Sequence, residues 1–198
     1  TGGCSAVALT NGQAYTYKVF QKDSYGNYDA GVSLGTATPI AATVSCSSNI
    51  SSTDFGTLTD ASISTAVSNA STTMTCNYAN GCTLYVKDAG SGSQAGLYKS
   101  ASPAYTIVSA TATLSAGVDG YGIQAATSTV GSGTLNLNSI YDKTGNNVGG
   151  LSLTDLILAS STAAITNREV IVTHKVAISA TATAGSYSDT ITYSCVGN

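Results

Sequence analysis

The stretch Glu169-Val-Ile-Val-Thr-His174-Lys-Val-Ala-Ile178-Ser-Ala-Thr181 decides the fold. Val170, Val172, Val176, Ile178 and Ala180 fall on every second position. That is the period of a strand with one buried face, not the 3.6-residue period of a helix. The same alternation recurs at Tyr187, Ile191, Tyr193 and Cys195, at Ala42, Val44 and Cys46, and at Met74 and Cys76. Cys82, Leu84 and Val86 continue it after a short loop, and 105–114, 120–126 and 151–158 are further strand candidates. Turn residues separate these runs at Asn80-Gly81, Asp88-Ala-Gly90, Thr144-Gly-Asn-Asn147 and Ala184-Gly185.

Helical periodicity is weak throughout, with at most a turn or two expected around 154–160. The pattern predicts an all-β chain: an Ig-like β-sandwich over residues 40–198, closed by a strand over 187–196. A seam at Thr38-Pro39 sets off residues 1–38 as an N-terminal β-hairpin arm.

Composition narrows the function. Only 9% of the 198 residues are charged, and 42% are hydrophobic. Disorder needs the reverse, so the chain has the means to fold. Seven basic residues against ten acidic ones cannot make the clustered positive surface that grips phosphate backbones, and no nucleic-acid partner is expected. Water is met mainly by Ser, Thr, Asn and Gly. No Lys or Arg occurs between Lys22 and Lys87, nor between Lys99 and Lys143, so proteases that cut at basic residues have few targets. No apolar run reaches the roughly 18–20 residues of a membrane-spanning helix. Extracellular or cell-surface life fits this profile.

The five cysteines, Cys4, Cys46, Cys76, Cys82 and Cys195, form no C-x-x-C pair. Cys46 and Cys195 occupy inward-phased positions of the first and last strands of the main domain. Cys76 and Cys82 flank Asn-Tyr-Ala-Asn-Gly, which reads as a hairpin loop. Five cysteines leave several pairings open. The expectation is Cys46–Cys195 and Cys76–Cys82, in an oxidising compartment, with Cys4 left over.

Residues 9–38 run Leu-Thr-Asn-Gly-x-x-Tyr15-x-Tyr17-x-Val19, then Asp23-x-x-Gly-Asn27, and end in Thr-Ala-Thr-Pro. They resemble the last two strands of a fibronectin type III domain, with Asp23 to Asn27 as the hairpin turn. Only eight residues precede Leu9, so the earlier strands of such a domain have no counterpart. Residues 40–198 resemble secreted bacterial surface and fibre-subunit sandwich domains. The resemblance rests on Asp54-Phe-Gly-Thr-Leu58 and on the closing Ala184-Gly-Ser-Tyr-Ser-Asp-Thr-Ile-Thr-Tyr193.

Residues suited to chemistry are sparse. His174, the one histidine, would be the general base of a hydrolase with Asp189 as its orienter, yet no Gly-x-Ser-x-Gly elbow is present. A single histidine in phase with valines reads more simply as a hydrogen-bonded core residue. Asp23, Asn27 and Asp29, and again Asp142 and Asn146, invite a calcium reading. Capping of Gly-containing turns explains both sets. Glu169, the one glutamate, sits beside Arg168 at a strand start, where a surface role fits better than glycosidase chemistry. No enzymatic activity, cofactor or metal is expected.

Tyr25, Tyr28, Tyr98 and Tyr121 are candidate platforms for stacking on sugars, against the simpler reading that they line strand faces. Asn49 and Asn69 begin Asn-x-Ser triplets and are candidate glycosylation acceptors.

Two functions compete. One is a structural subunit of an extracellular filament (pilus-like) or surface layer, assembling head-to-tail with copies of itself. In it the arm adds strands to the next subunit, Tyr15, Tyr17 and Val19 fill a groove, and Cys4 locks the junction. The other is a monomeric adhesive or carbohydrate-binding module, whose partners would be glycans or a host or cell surface.

Overall fold

The computed structural model describes residues 8–198. Cys4, expected to lock an intersubunit junction, lies outside the described residues. The chain divides into two units, the first ending at Ala42 and the second running from Thr43 to Asn198.

In the first unit, β1 (Tyr15–Val19) and β2 (Val32–Ala37) pair antiparallel, with a register shift between Tyr17 and Lys18. Asp23 shapes the connection: Oδ1 accepts the backbone N–H groups of Tyr25 and Asn27, and Oδ2 accepts Asn27 Nδ2. Asp29 Oδ1 accepts the N–H groups of Gln21 and Gly31. These carboxylates spend their lone pairs on loop amides, the usual service of Asp in turns.

In the second unit the strands are β3 (Val44–Ser48), β4 (Ser64–Thr65), β5 (Ala70–Cys76), β6 (Cys82–Asp88), β7 (Gly96–Lys99) and β8 (Tyr105–Val108). Then come β9 (Ala112–Thr113), β10 (Gly120–Thr127), β11 (Asn136–Leu137), β12 (Asn147–Val148), β13 (Leu156–Ser160), β14 (Ile165–Ala177) and β15 (Ile191–Gly197). One sheet has the order β10-β14-β5-β3, with β4 also on β14; a second has the order β11-β13-β6-β15. All of their pairings are antiparallel. The small pairs β12-β9 and β7-β8 complete the unit.

The alternation that predicts strands also builds the core. Val170, Val172 and Val176 of β14, Ile123 of β10 and Met74 of β5 are fully buried, and so are Leu84 and Val86 of β6 and Leu158 of β13. All eight belong to one cluster shared by the two larger sheets. Each such side chain contributes roughly 1.5–3 kcal/mol relative to exposure. β14 carries an irregularity between Ile165 and Arg168, where Asn167 takes a positive φ of 51°. Thr75 holds it: its Oγ1 accepts Asn167 N at 2.9 Å and donates to Asn167 Oδ1 at 3.0 Å.

Three local expectations are corrected. Residues 156–160 form β13, which lies between β11 and β6, because Leu156 and Leu158 alternate toward the core and no helical turn could share those ladders. The closing strand begins at Ile191 and not at Tyr187, since 187–190 are held by contacts outside the ladder, described below. The loop between Cys76 and Cys82 is an arch and not a hairpin. β5 pairs with β14 and β3, β6 pairs with β13 and β15, and the chain therefore crosses from one sheet to the other.

Both disulfides span that same gap. Cys76–Cys82 closes the arch, with Cα atoms 6.5 Å apart, and Cys46–Cys195 joins the edge strands β3 and β15 at 6.2 Å. Two disulfides indicate folding in an oxidising environment.

Candidate functional site

A trough of about 1190 Å³ opens on the second unit between two long segments, 48–60 and 178–193. Its size exceeds the roughly 300–1,000 Å³ of an ordinary small-molecule pocket. Phe55, Leu58, Ile178 and Ile191 supply apolar wall, and Tyr121, His174 and Asp189 also line it. Apart from a bridge between Ser188 and Tyr98, neither the 49–60 nor the 178–190 stretch belongs to a ladder.

Side chains and turns fix these walls where strands do not. On the first, Asp54 Oδ1 accepts Gly56 N at 2.8 Å, Val67 N donates to Asp54 O at 2.9 Å, and Phe55 meets Tyr121 edge to face at 6.3 Å. On the second, Asp119 accepts both Ser179 N and the Tyr105 hydroxyl. Tyr187 packs edge-on against Tyr105 and turns its hydroxyl back to Thr183 O at 2.6 Å. Asp189 Oδ1 accepts Gly90 N at 3.0 Å and Thr190 N at 2.7 Å. The contacts of Tyr187 and Asp189, within the Gly-Ser-Tyr-Ser-Asp run, hold 187–190 outside the closing strand.

The deep end of the trough is polar. His174 is only 5% exposed, and its Nδ1 lies 3.0 Å from the Tyr121 hydroxyl with the two rings stacked. Burial pulls the imidazole down to about 4, so it is neutral at ordinary pH. Asp88 lies outside the trough lining, close to Asp189; it is fully buried, and neither of its oxygens has a hydrogen-bond partner. The second oxygen of Asp189 and the hydroxyl of Tyr193 are likewise buried without one. Burial, and then the charge of Asp189, pushes Asp88 up to about 7; burial also raises Asp189 and Tyr193. Burial first, and then the charges of Asp189 and Asp88, raises the Tyr121 hydroxyl as well.

The remaining sequence candidates fall elsewhere. Tyr121, read as a sugar platform, is corrected to a core residue: only 2% of it is exposed. Tyr98 is half-buried in β7. Tyr25 is 91% exposed at the arm's turn, and Tyr28 is exposed beside the Lys22 ammonium. In β1, Tyr15 and Tyr17 are half-buried and Val19 is exposed, with the Tyr15 hydroxyl accepting Thr10 N.

Asn49 and Asn69 are exposed, and their Oδ1 atoms accept from Ser71 N and from Thr173 Oγ1. Among the described residues, no group of three or more His, Cys, Asp or Glu side chains is placed to hold a metal ion.

Asp88 is the residue that sequence reasoning missed. Asp88-Ala-Gly90 looks like turn punctuation, yet Asp88 is the last residue of β6 and in phase with Leu84 and Val86. The phase itself was the available signal.

No protein-family model matches the chain, and neither a curated protein nor a solved structure matches it.

Proposed function

We propose that the protein is a structural subunit of an extracellular filament or surface layer. It assembles head-to-tail with copies of itself through the N-terminal arm, and it has no enzymatic activity. On this reading the two larger sheets are the faces of an Ig-like sandwich, and the arm supplies strands to a neighbour.

One observation carries it: every residue of β2 is exposed, including Val32 at 66% and Leu34 at 67%. A two-stranded hairpin in water is marginal by itself, and an exposed apolar edge strand is a template for another chain. The low charge and the disulfides suit a polymer outside the cell.

Negative-stain imaging and sedimentation of the native protein test the proposal. Assemblies that vanish on deletion of residues 1–38, with the circular dichroism of the remainder still all-β, are expected. A protein that stays monomeric at high concentration contradicts it and favours the adhesive or carbohydrate-binding module, to which the nearly bare ring of Tyr25 is suited.

A further inference from the structure

Charge in this chain is scarce, so its distribution carries information. The trough is lined by Asp54, Asp60 and Asp189 and by no lysine or arginine. Residues 13–22 of the arm, Gln-Ala-Tyr-Thr-Tyr-Lys-Val-Phe-Gln-Lys, hold two of the seven basic residues and no acidic one. Period two sorts that segment further. Tyr15, Tyr17 and Val19 share one face, while Lys18, Phe20 and Lys22 share the other.

The trough is sorted in the same sense. Asp54 and Asp60 are exposed on its rim, whereas Phe55, Leu58, Ile178 and Ile191 form the apolar wall within. A strand laid with its tyrosine face inward would set two phenol rings against the apolar wall of Phe55, Leu58, Ile178 and Ile191. Its lysines would then point outward toward the two rim aspartates.

We propose that the trough is the seat for residues 13–22 of a second copy of this chain. The inference rests on the assembly reading above and adds to it the acceptor surface and its chemistry.

A charge exchange in the full-length protein tests it. Asp54→Lys with Asp60→Lys, and separately Lys18→Glu with Lys22→Glu, should each raise the concentration needed for half-assembly by about tenfold. Combining all four substitutions should bring it back toward the native value. Asp54 also caps the turn through Gly56, so Asp60→Lys alone, which leaves that cap intact, replaces the double variant if the latter misfolds. A synthetic peptide of residues 13–22 should bind the full-length protein and slow hydrogen exchange in 53–59 and 186–191.

Assembly unaffected by the rim substitutions, with no protection by the peptide, would place the seat elsewhere and leave the assembly reading standing. A native protein that never self-associates would remove both. Protection of the trough in a monomer, lost on deletion of the arm, would make the occupant the chain's own segment and overturn the second copy.

Discussion

The hydroxyl of Tyr121 lies 3.0 Å from Nδ1 of His174, with the two rings stacked 15° from parallel. Tyr121 pairs with Val176 and His174 with Ile123 in the β10–β14 ladder, so the two side chains are diagonal neighbours on the inner face. This position fixes the histidine as a neutral partner buried among valines. Its neighbour Tyr121 is also set beside Asp88 and Asp189, whose charges act on it.

The first prediction concerns pH. His174 falls from its ordinary 6.5 to about 4, so the unfolded chain binds more protons between those values and stability drops as pH falls through them. The loss is roughly 3 kcal/mol. Asp88 has the opposite sign: raised from 3.8 to about 7, it contributes stability at low pH that is lost as pH rises through that window. In the native protein the two slopes should therefore oppose each other between about pH 4 and 6.5. Urea midpoints across that range should climb with pH in Asp88→Asn and decline with pH in His174→Phe. Identical profiles for the native protein and both variants would refute the compensation.

The disulfides should differ in weight. Cys46–Cys195 closes a loop with a sequence separation of 149, against 6 for Cys76–Cys82. Chain entropy then gives about 5 kcal/mol for the first and about 2 kcal/mol for the second. Unfolding of Cys46→Ala/Cys195→Ala and of Cys76→Ala/Cys82→Ala, each as a double variant, should reproduce that order.

Two glycines separate backbone strain from collision. Gly145 has a φ of 63° with open space around it, so Gly145→Ala should cost about 1 kcal/mol. Gly81 has a φ of 77°, and a side chain there would run into the backbone of Ser161. Gly81→Ala should cost more, about 3 kcal/mol. Equal urea midpoints would show that the arch yields to the added methyl.

On the arm, Val32→Asp with Leu34→Asp should leave the thermal unfolding of the second unit unchanged, because neither residue belongs to its core. The same variant should lose self-association in sedimentation velocity. Retained assembly would mean that β2 is not part of the contact.

Much of the fold was legible from period two. The inner face of β14 could be written down from sequence, and so could the inward phase of Cys46 and Cys195; that of β10 could not, since Tyr121 reads as an exposed sugar platform and yet is buried. The site was less legible. Asp88 obeys the phase of Leu84 and Val86, but Asp shortly before a Gly is also a mark of a turn. Local sequence does not say which tendency wins. The arch at Cys76–Cys82 was misread for a related reason: Asn-Gly predicts a reversal of direction, and a reversal looks the same whether the flanking strands pair with each other or with strands of two sheets.

By itself, then, the sequence determined what depends on neighbours along the chain: the strand faces, the turns held by Asp23 and Asp29, and a surface almost without charge. The tertiary structure decided what depends on distant residues. It chose the strands each edge pairs with, kept 187–190 out of the closing strand, and set Asp189, Tyr121 and His174 around one trough. Hydrogen-bond ladders, burial and a disulfide between residues 149 positions apart set those outcomes, and no local pattern encodes the partner.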